Sequence, residues 1–132
     1  MACTELPSYT SQLDQPIKEI LALQEQNNWE ASKEILQNVN LDQEGVSIED
    51  KKDIYFLWSN FYENTPSKNS YEKIIEFNLK IINLEIESSS SHLNLSCANV
   101  YDGFVKLGMG QEIASFVERY KDSCFKDNPN YA

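Results

Sequence analysis

One pattern of apolar and polar positions recurs along most of the chain. Apolar residues are repeatedly three or four positions apart, the spacing that places them on one face of an α-helix. Short polar stretches interrupt this spacing at 27–28, 40–46, 64–69, 88–91 and 108–110. The pattern therefore predicts an all-α fold of about six helices joined by short links.

Residues 52–62 are the stretch that would also suit a strand, because they are rich in aromatic residues and Ile. However, Ser47 and Asp50 precede them with the spacing of a helix capping box, with Asp where Glu or Gln is preferred. Helical patterns also lie on both sides. We therefore predict a helix here.

Local signals predict where other helices begin and end. Asp14 stands ahead of Pro16 as a capping acid, and Asn28 is placed to cap the second helix. Gly108 suits the C-terminus of the fifth helix, because glycine tolerates positive φ. The sixth helix is predicted over 111–124.

The helical pattern covers residues 13–125, which we predict to be a single domain. At 132 residues the chain is long enough to bury a core of its own. Residues 1–12 and 126–132 lack the pattern, so they predict a flexible N-terminal arm and a flexible C-terminal tail.

The charge of the chain limits its partners. Its formal net charge is −10, from 21 acidic and 11 basic residues. Nucleic acids and anionic membrane surfaces attract Lys and Arg, so both are disfavoured. A basic protein is the natural complement. The alternative is that the acidic residues only keep the protein soluble.

The three cysteines, Cys3, Cys97 and Cys124, are far apart and have no neighbouring His. This spacing argues against a disulfide framework and against a zinc site. Cys97 lies on a helical apolar stripe, which predicts a buried thiol. No cofactor is predicted. Residues 1–12 do not resemble a signal peptide, so the cytoplasm is the predicted compartment. The alternative is a mature lipoprotein beginning at an acylated Cys3.

The second helix of each predicted pair opens on a related motif. Asn28-Trp29-Glu30-Ala31-Ser32 is the clearest case, and Tyr71-Glu72-Lys73-Ile74 and residues 107–113 are weaker ones. Leu57-Trp58-Ser59 is the best match among the first helices. Over about residues 13–123, the chain resembles tetratricopeptide (TPR) repeats. The resemblance implies three antiparallel helix pairs stacked in a right-handed array.

The chain departs from the family at several positions. Ile20 and Tyr101 stand where the family has Gly or Ala, and Ile74 and Ile113 replace another small residue. The closing Pro is missing from all three repeats. A compact antiparallel six-helix bundle is therefore the alternative fold.

The resemblance also implies a binding groove, because such arrays bind partners on the concave face formed by the first helix of each pair. Alignment to the family places these candidate partner-binding residues on that face: Asp14, Gln24, Glu25, Asp53, Phe56, Asn60, Glu63 and Asp102, with Lys106 beside them. Family members that clamp a C-terminal carboxylate use Lys, Arg and Asn at such positions. Acids dominate here, so the resemblance implies a ligand that carries Lys or Arg. The alternative is that these acids form solvated helix faces.

Trp58 is the candidate for an exposed aromatic anchor. The helix over 54–62 has more large apolar residues than one stripe can bury, and aromatic anchors supply much of the energy of interfaces. The alternative is that Trp58 belongs to the core.

These observations predict a non-catalytic, acidic, protein-binding module. One version is an immunity protein or antitoxin that blocks a basic nuclease toxin by presenting carboxylates where the enzyme expects phosphates. An alternative is a TPR-like adaptor that binds a peptide within a larger assembly. A third is a small helical enzyme built on His92, for which the spacing supplies no catalytic partner. The sequence predicts neither the identity of the partner nor the number of subunits.

Overall fold

The computed structural model describes residues 13–87 and 93–125 of the chain. In those residues the chain forms six α-helices and no strand. The helices are α1 (Asp14–Glu25), α2 (Trp29–Gln37), α3 (Ile48–Asn64), α4 (Ser70–Glu87), α5 (Leu93–Leu107) and α6 (Gly110–Tyr120). The predicted all-α, six-helix fold is therefore confirmed.

Some predictions fall on residues outside the described part of the chain. They concern the arm over 1–12, the link over 88–91, the tail over 126–132, and the individual residues Cys3 and His92.

The turn between α1 and α2 is built from two asparagines. Asn27 takes a left-handed conformation, with φ of 62°. The Asn28 N–H donates to the Leu23 carbonyl at 2.8 Å, and the Asn27 N–H donates to the Gln24 carbonyl at 3.0 Å. This is the hydrogen-bond pattern that closes a helix C-terminus. The Asn28 side chain then accepts from the Ala31 N–H at 3.4 Å and caps α2, as predicted.

The predicted capping box at the start of α3 is confirmed. The Asp50 N–H donates to Ser47 Oγ at 3.1 Å, and the Ser47 N–H donates to Asp50 Oδ2 at 3.3 Å. These two bonds satisfy backbone groups that a helix N-terminus leaves without partners. They explain why the aromatic run that follows is helical despite its β-propensity.

Two predicted helix ends were wrong. Asp14 lies inside the first turn of α1, and Leu13 occupies the capping position without a side-chain hydrogen bond. Leu13 is buried in the core, so its packing rather than a polar cap fixes the start of the helix. The sixth helix ends at Tyr120 rather than at 124, because residues 121–124 form a turn that brings Cys124 to Cys97 of α5.

The helices pack mainly on their neighbours along the chain, and α1 also packs on α3. The most extensive interfaces are those of α4 with α3 and with α5. Ile74, Ile75, Ile81 and Ile82 of α4 are all buried. Their positions cover more than one side of the helix, so α4 is sandwiched between neighbours, as its apolar pattern predicted.

The apolar residues form two separate clusters. The first joins α1, α2 and α3 through Leu13, Ile20, Leu36, Ile54, Leu57 and Phe61. The second joins α4, α5 and the C-terminal end through Ile75, Ile82, Cys97, Val100, Phe104, Phe116, Tyr120, Cys124 and Phe125. Buried polar residues lie between them, where α3 meets α4.

Cys97 and Cys124 form a disulfide, with their Cα atoms 5.7 Å apart. Cys97 is buried as predicted, but the prediction of a free thiol without a disulfide was wrong. The two cysteines are 27 positions apart in sequence, so spacing alone gave no signal. The turn after α6 brings them together inside the second cluster.

Candidate functional site

A cleft of about 330 Å³ opens between the end of α3, the start of α4 and the middle of α5. We call it the α3–α5 cleft. The side chains that give it its chemical character are those of Tyr62, Glu63, Tyr71, Asn99, Asp102 and Lys106.

The rim of the cleft is the turn from α3 to α4, and hydrogen bonds hold that turn. Thr65 Oγ1 donates to the Phe61 carbonyl at 2.7 Å, and the Ser67 N–H donates to Ser70 Oγ at 2.6 Å. Ser67 and Ser70 both line the cleft. The rim is therefore fixed by side-chain bonds to the backbone, which Ser and Thr favour in turns.

Gly103 allows α5 to lie close against α4 beside the cleft. A Cβ atom at this position would lie 2.7 Å from Ile75 Cγ1, well inside van der Waals contact. A glycine inside a helix lowers its intrinsic stability, so the close approach of the two helices explains its presence. Asp102 and Lys106 flank Gly103 on the same helix and face the cleft with it.

A buried amide behind the cleft connects three helices. Asn78, which is fully buried on α4, donates from Nδ2 to Ser59 Oγ of α3 at 2.8 Å. Asn99 of α5 donates from Nδ2 to Asn78 Oδ1 at 3.2 Å. Asn99 also lines the cleft, so this network orients one of the cleft's polar groups. A signal was present in the sequence, because Asn78 interrupts an otherwise apolar run of α4.

The cleft contains both aromatic rings and charges. Lys106 Nζ lies 3.6 Å from Asp102 Oδ2 and 5.5 Å from the centre of the Tyr71 ring. Glu63 is exposed and lines the same cleft, and no cation of the described residues lies within salt-bridge distance of it. The lining of the cleft therefore holds two carboxylates and one ammonium, beside rings whose faces attract cations.

The structure brings together three residues that the sequence assigned to the groove. Glu63 and Asp102, which come from helix pairs two and three, line the same cleft, and Lys106 lies between Asp102 and Tyr71. Tyr62 and Tyr71 were not predicted as site residues, although their aromatic character and position beside the 64–69 turn were visible in the sequence.

Gln24 and Asn60, by contrast, form hydrogen bonds within the protein. Gln24 is 4% exposed and donates from Nε2 to the Leu57 carbonyl at 3.1 Å. Asn60 Nδ2 donates to Gln24 Oε1 at 2.9 Å. These bonds join α1 to α3. The assignment of Gln24 to a partner-binding surface is corrected, because its side chain is buried and its amide forms hydrogen bonds within the protein.

The other predicted groove residues do not line the α3–α5 cleft. Asp14, Asp53 and Phe56 are partly buried, and each has a contact within the protein. Glu25 is exposed at the end of α1.

The prediction that Trp58 is exposed was wrong. Its ring is partly buried and stacks on Phe77 at 5.6 Å, with an interplanar angle of 2°. It also stacks on Tyr62 at 5.9 Å. Because α3 lies between the first helix pair and α4, two of its sides are packed, and its many large apolar residues do not need an external partner.

A second group of charges centres on Lys52, which is buried where α3 meets α4. Its side chain is 0% exposed, and its Nζ lies 2.8 Å from Glu49 Oε2 and 3.3 Å from Glu85 Oε1. Burial lowers the pKa of the Lys52 ammonium, but the hydrogen bond with Glu49 and the carboxylate of Glu85 outweigh it. The pKa is therefore raised above its ordinary value of 10.5. The ammonium stays protonated, which suits a structural ion pair rather than a base.

In the described residues, no group of three or more His, Cys, Asp or Glu side chains is arranged to hold a metal ion. None of the helices described there combines the length and the apolarity needed to cross a bilayer.

Comparison of the chain with protein-family models, curated proteins and solved structures gave no match. The resemblance to TPR repeats therefore stays a prediction from the residues that carry it.

Proposed function

We propose that the protein is a non-catalytic module that binds a basic partner protein, with the α3–α5 cleft as the centre of its contact surface. One observation carries the proposal. Glu63 and Asp102, taken from separate helix pairs, line one cleft together with exposed and partly exposed tyrosines. Tyrosine is enriched among the residues that contribute most to interfaces.

The charge of the whole chain supports the same class of partner. A net charge of −10 on 132 residues produces a field that attracts a basic protein and speeds the encounter. Because salt screens this attraction, both the association rate and the affinity should fall as ionic strength rises.

Two versions of this function use the same surface. In the first, the protein is an immunity protein or antitoxin, and its carboxylates occupy the positions that phosphates take on a basic nuclease toxin. In the second, it is a TPR-like adaptor that takes a basic peptide segment into the cleft. The size of the cleft, about 330 Å³, lies at the lower end of ligand sites, so it suits one or two side chains rather than a long peptide.

The disulfide bears on where the function takes place. Structural disulfides persist in oxidising compartments and are rare in the reducing cytosol. The Cys97–Cys124 bond therefore favours an oxidising compartment over the predicted cytoplasm.

The proposal is tested by capturing partners from a lysate of the source organism and measuring their affinity for the protein at low and physiological salt. The Glu63→Gln/Asp102→Asn variant removes both carboxylates of the cleft without a large change of shape. Its control is Glu112→Gln/Glu118→Gln, which removes two exposed charges from α6. We expect a salt-sensitive complex that is weakened by the cleft variant and little changed by the control.

Two results would contradict the proposal. One is a complex whose affinity does not change with salt. The other is an equal loss of affinity in the cleft variant and in the α6 control, which would mean that only the total charge matters.

A further inference from the structure

Lys106 is a cation that the protein itself places in the α3–α5 cleft. Its ammonium approaches the Asp102 carboxylate at 3.6 Å and lies over the Tyr71 ring at 5.5 Å. Asp102 is one turn earlier on the same helix, so this pair needs no other element to form. The arrangement shows that the Tyr71 face and the Asp102 carboxylate together accept a positive charge.

We propose that the cleft receives one cationic side chain, lysine or arginine, from the partner, and that Lys106 occupies its position in the free protein. This inference rests on the proposed function, because it names the group of the basic partner that enters the cleft. Lys106 then acts as an internal competitor that moves aside when the partner binds.

The contacts of Lys106 are of the kind that can be exchanged. Its side chain is 50% exposed, and that of Asp102 is 63% exposed. Exposed ion pairs and exposed cation–π contacts are individually weak in water. An incoming cation would meet the same two groups and, in addition, the carboxylate of Glu63, which lines the same cleft.

The polar groups of the cleft also favour a cation over an anion. Once Lys106 moves aside, the charges that remain are the carboxylates of Glu63 and Asp102. Asn99 uses its Nδ2 to donate to Asn78, which leaves its oxygen with acceptor capacity. Tyr62 and Tyr71 supply the aromatic faces. A carboxylate ligand would find Lys106 as its one cationic partner and two carboxylates opposing it.

The test uses small probes whose only charge lies on the side chain, so that it does not depend on finding the partner. Nα-acetyl-lysine amide and Nα-acetyl-arginine amide are titrated into the full chain while the NMR signals of the tyrosine rings are followed. Acetate serves as the anionic probe. The variant is Lys106→Ala. Its control is Lys73→Ala, which makes the same change of charge on α4, where Lys73 pairs with Glu76 at 3.5 Å and does not line the cleft.

We expect both cationic probes to bind Lys106→Ala about two- to five-fold more tightly than the Lys73→Ala control, the range that losing one exposed competing contact implies. Tyr71→Leu should weaken their binding. Unfolding midpoints close to that of the wild type would establish that all three variants are folded.

The inference is overturned if Lys106→Ala and Lys73→Ala bind the cationic probes equally, or if neither probe perturbs the tyrosine signals. It is also overturned if acetate binds the wild type and loses affinity in Lys106→Ala, because Lys106 would then be an anion clamp.

The proposed function fails separately. A lysate complex that depends on Glu63 and Asp102 supports that function even without probe binding, and probe binding without any salt-sensitive complex supports the cation site alone.

Discussion

At the scale of single residues, Lys52 shows how the interior of this protein tolerates charge. The side chain is fully buried, but its ammonium has two carboxylates within ion-pair distance. Glu85 is equally inaccessible, at 1%, whereas the Glu49 side chain is 63% exposed. A buried ion pair contributes little net stability, but removing Glu85 would leave the buried Lys52 ammonium with only the largely exposed carboxylate of Glu49. Lys52 and Glu85 therefore act as a pair that fixes how α3 sits on α4.

We predict that Glu85→Leu lowers the free energy of unfolding by about 3 kcal/mol, because Lys52 loses its buried counter-charge. The double variant Lys52→Met/Glu85→Leu should recover most of that loss. Glu76→Leu is the matched control on α4, since Glu76 pairs only with exposed lysines, and it should cost less than about 1 kcal/mol. Urea unfolding measures all four proteins. Equal losses in Glu85→Leu and in the double variant would show that the pair does not act as a unit.

The same pair predicts a dependence on pH. The pKa of Lys52 is raised in the folded state, so its contribution to stability is complete below pH 10.5 and is lost as pH rises through the raised value. From neutral pH to 10.5 the difference in stability between the wild type and the double variant should therefore stay constant, and the wild type should lose stability relative to the double variant as pH rises above 10.5. A difference that already changes near neutral pH would argue against this assignment.

At the scale of elements, α6 depends on the chain that follows it. The disulfide joins that chain to α5 inside the second apolar cluster, beside Phe116 and Phe125. A cross-link closing a loop of 27 residues lowers the entropy of the unfolded chain, which corresponds to about 3.5 kcal/mol of stability. The bond therefore holds the chain after α6 against α5.

We predict that reduction, or the variant Cys97→Ala/Cys124→Ala, lowers the free energy of unfolding by about 3 kcal/mol. Chemical unfolding with and without a reductant measures the effect. The Cys97→Ala/Cys124→Ala variant also serves as the control. It keeps Cys3 but lacks the disulfide, so its stability should not respond to the reductant. A wild type that is insensitive to reductant would mean that the bond is absent or contributes nothing.

At the scale of the whole molecule, the protein combines a strong net negative charge with two apolar clusters that have buried polar residues between them. The ion pairs of Lys73, Lys80, Lys106 and Lys121 are exposed, so they offset only a small part of the repulsion among the acids. Self-repulsion at a net charge of −10 favours expanded states over the compact one. A basic partner would relieve this repulsion on binding.

We predict that raising sodium chloride from about 10 to about 150 mM increases the melting temperature of the free protein, because the Debye length falls from about 30 to about 8 Å and screens the repulsion. Differential scanning calorimetry measures the shift. The Glu112→Gln/Glu118→Gln variant should show a smaller shift, since it carries two fewer negative charges. A melting temperature that falls with salt would show that favourable ion pairs outweigh the repulsion.

The sequence by itself determined the features that depend on neighbours in the chain. The capping box of Ser47 and Asp50, the Asn28 cap and the left-handed Gly108 follow from local hydrogen bonding and φ preferences. The apolar period fixed the number of helices and the sandwiched position of α4. The tertiary structure decided what depends on distant parts of the chain: the Cys97–Cys124 bond, the burial of Lys52 and Gln24, the stacking of Trp58 on Phe77, and the meeting of Glu63 with Asp102 in one cleft. The reason is physical, since hydrogen bonds and dihedral preferences act over a few residues, whereas burial and charge pairing arise only when helices far apart in sequence are packed together.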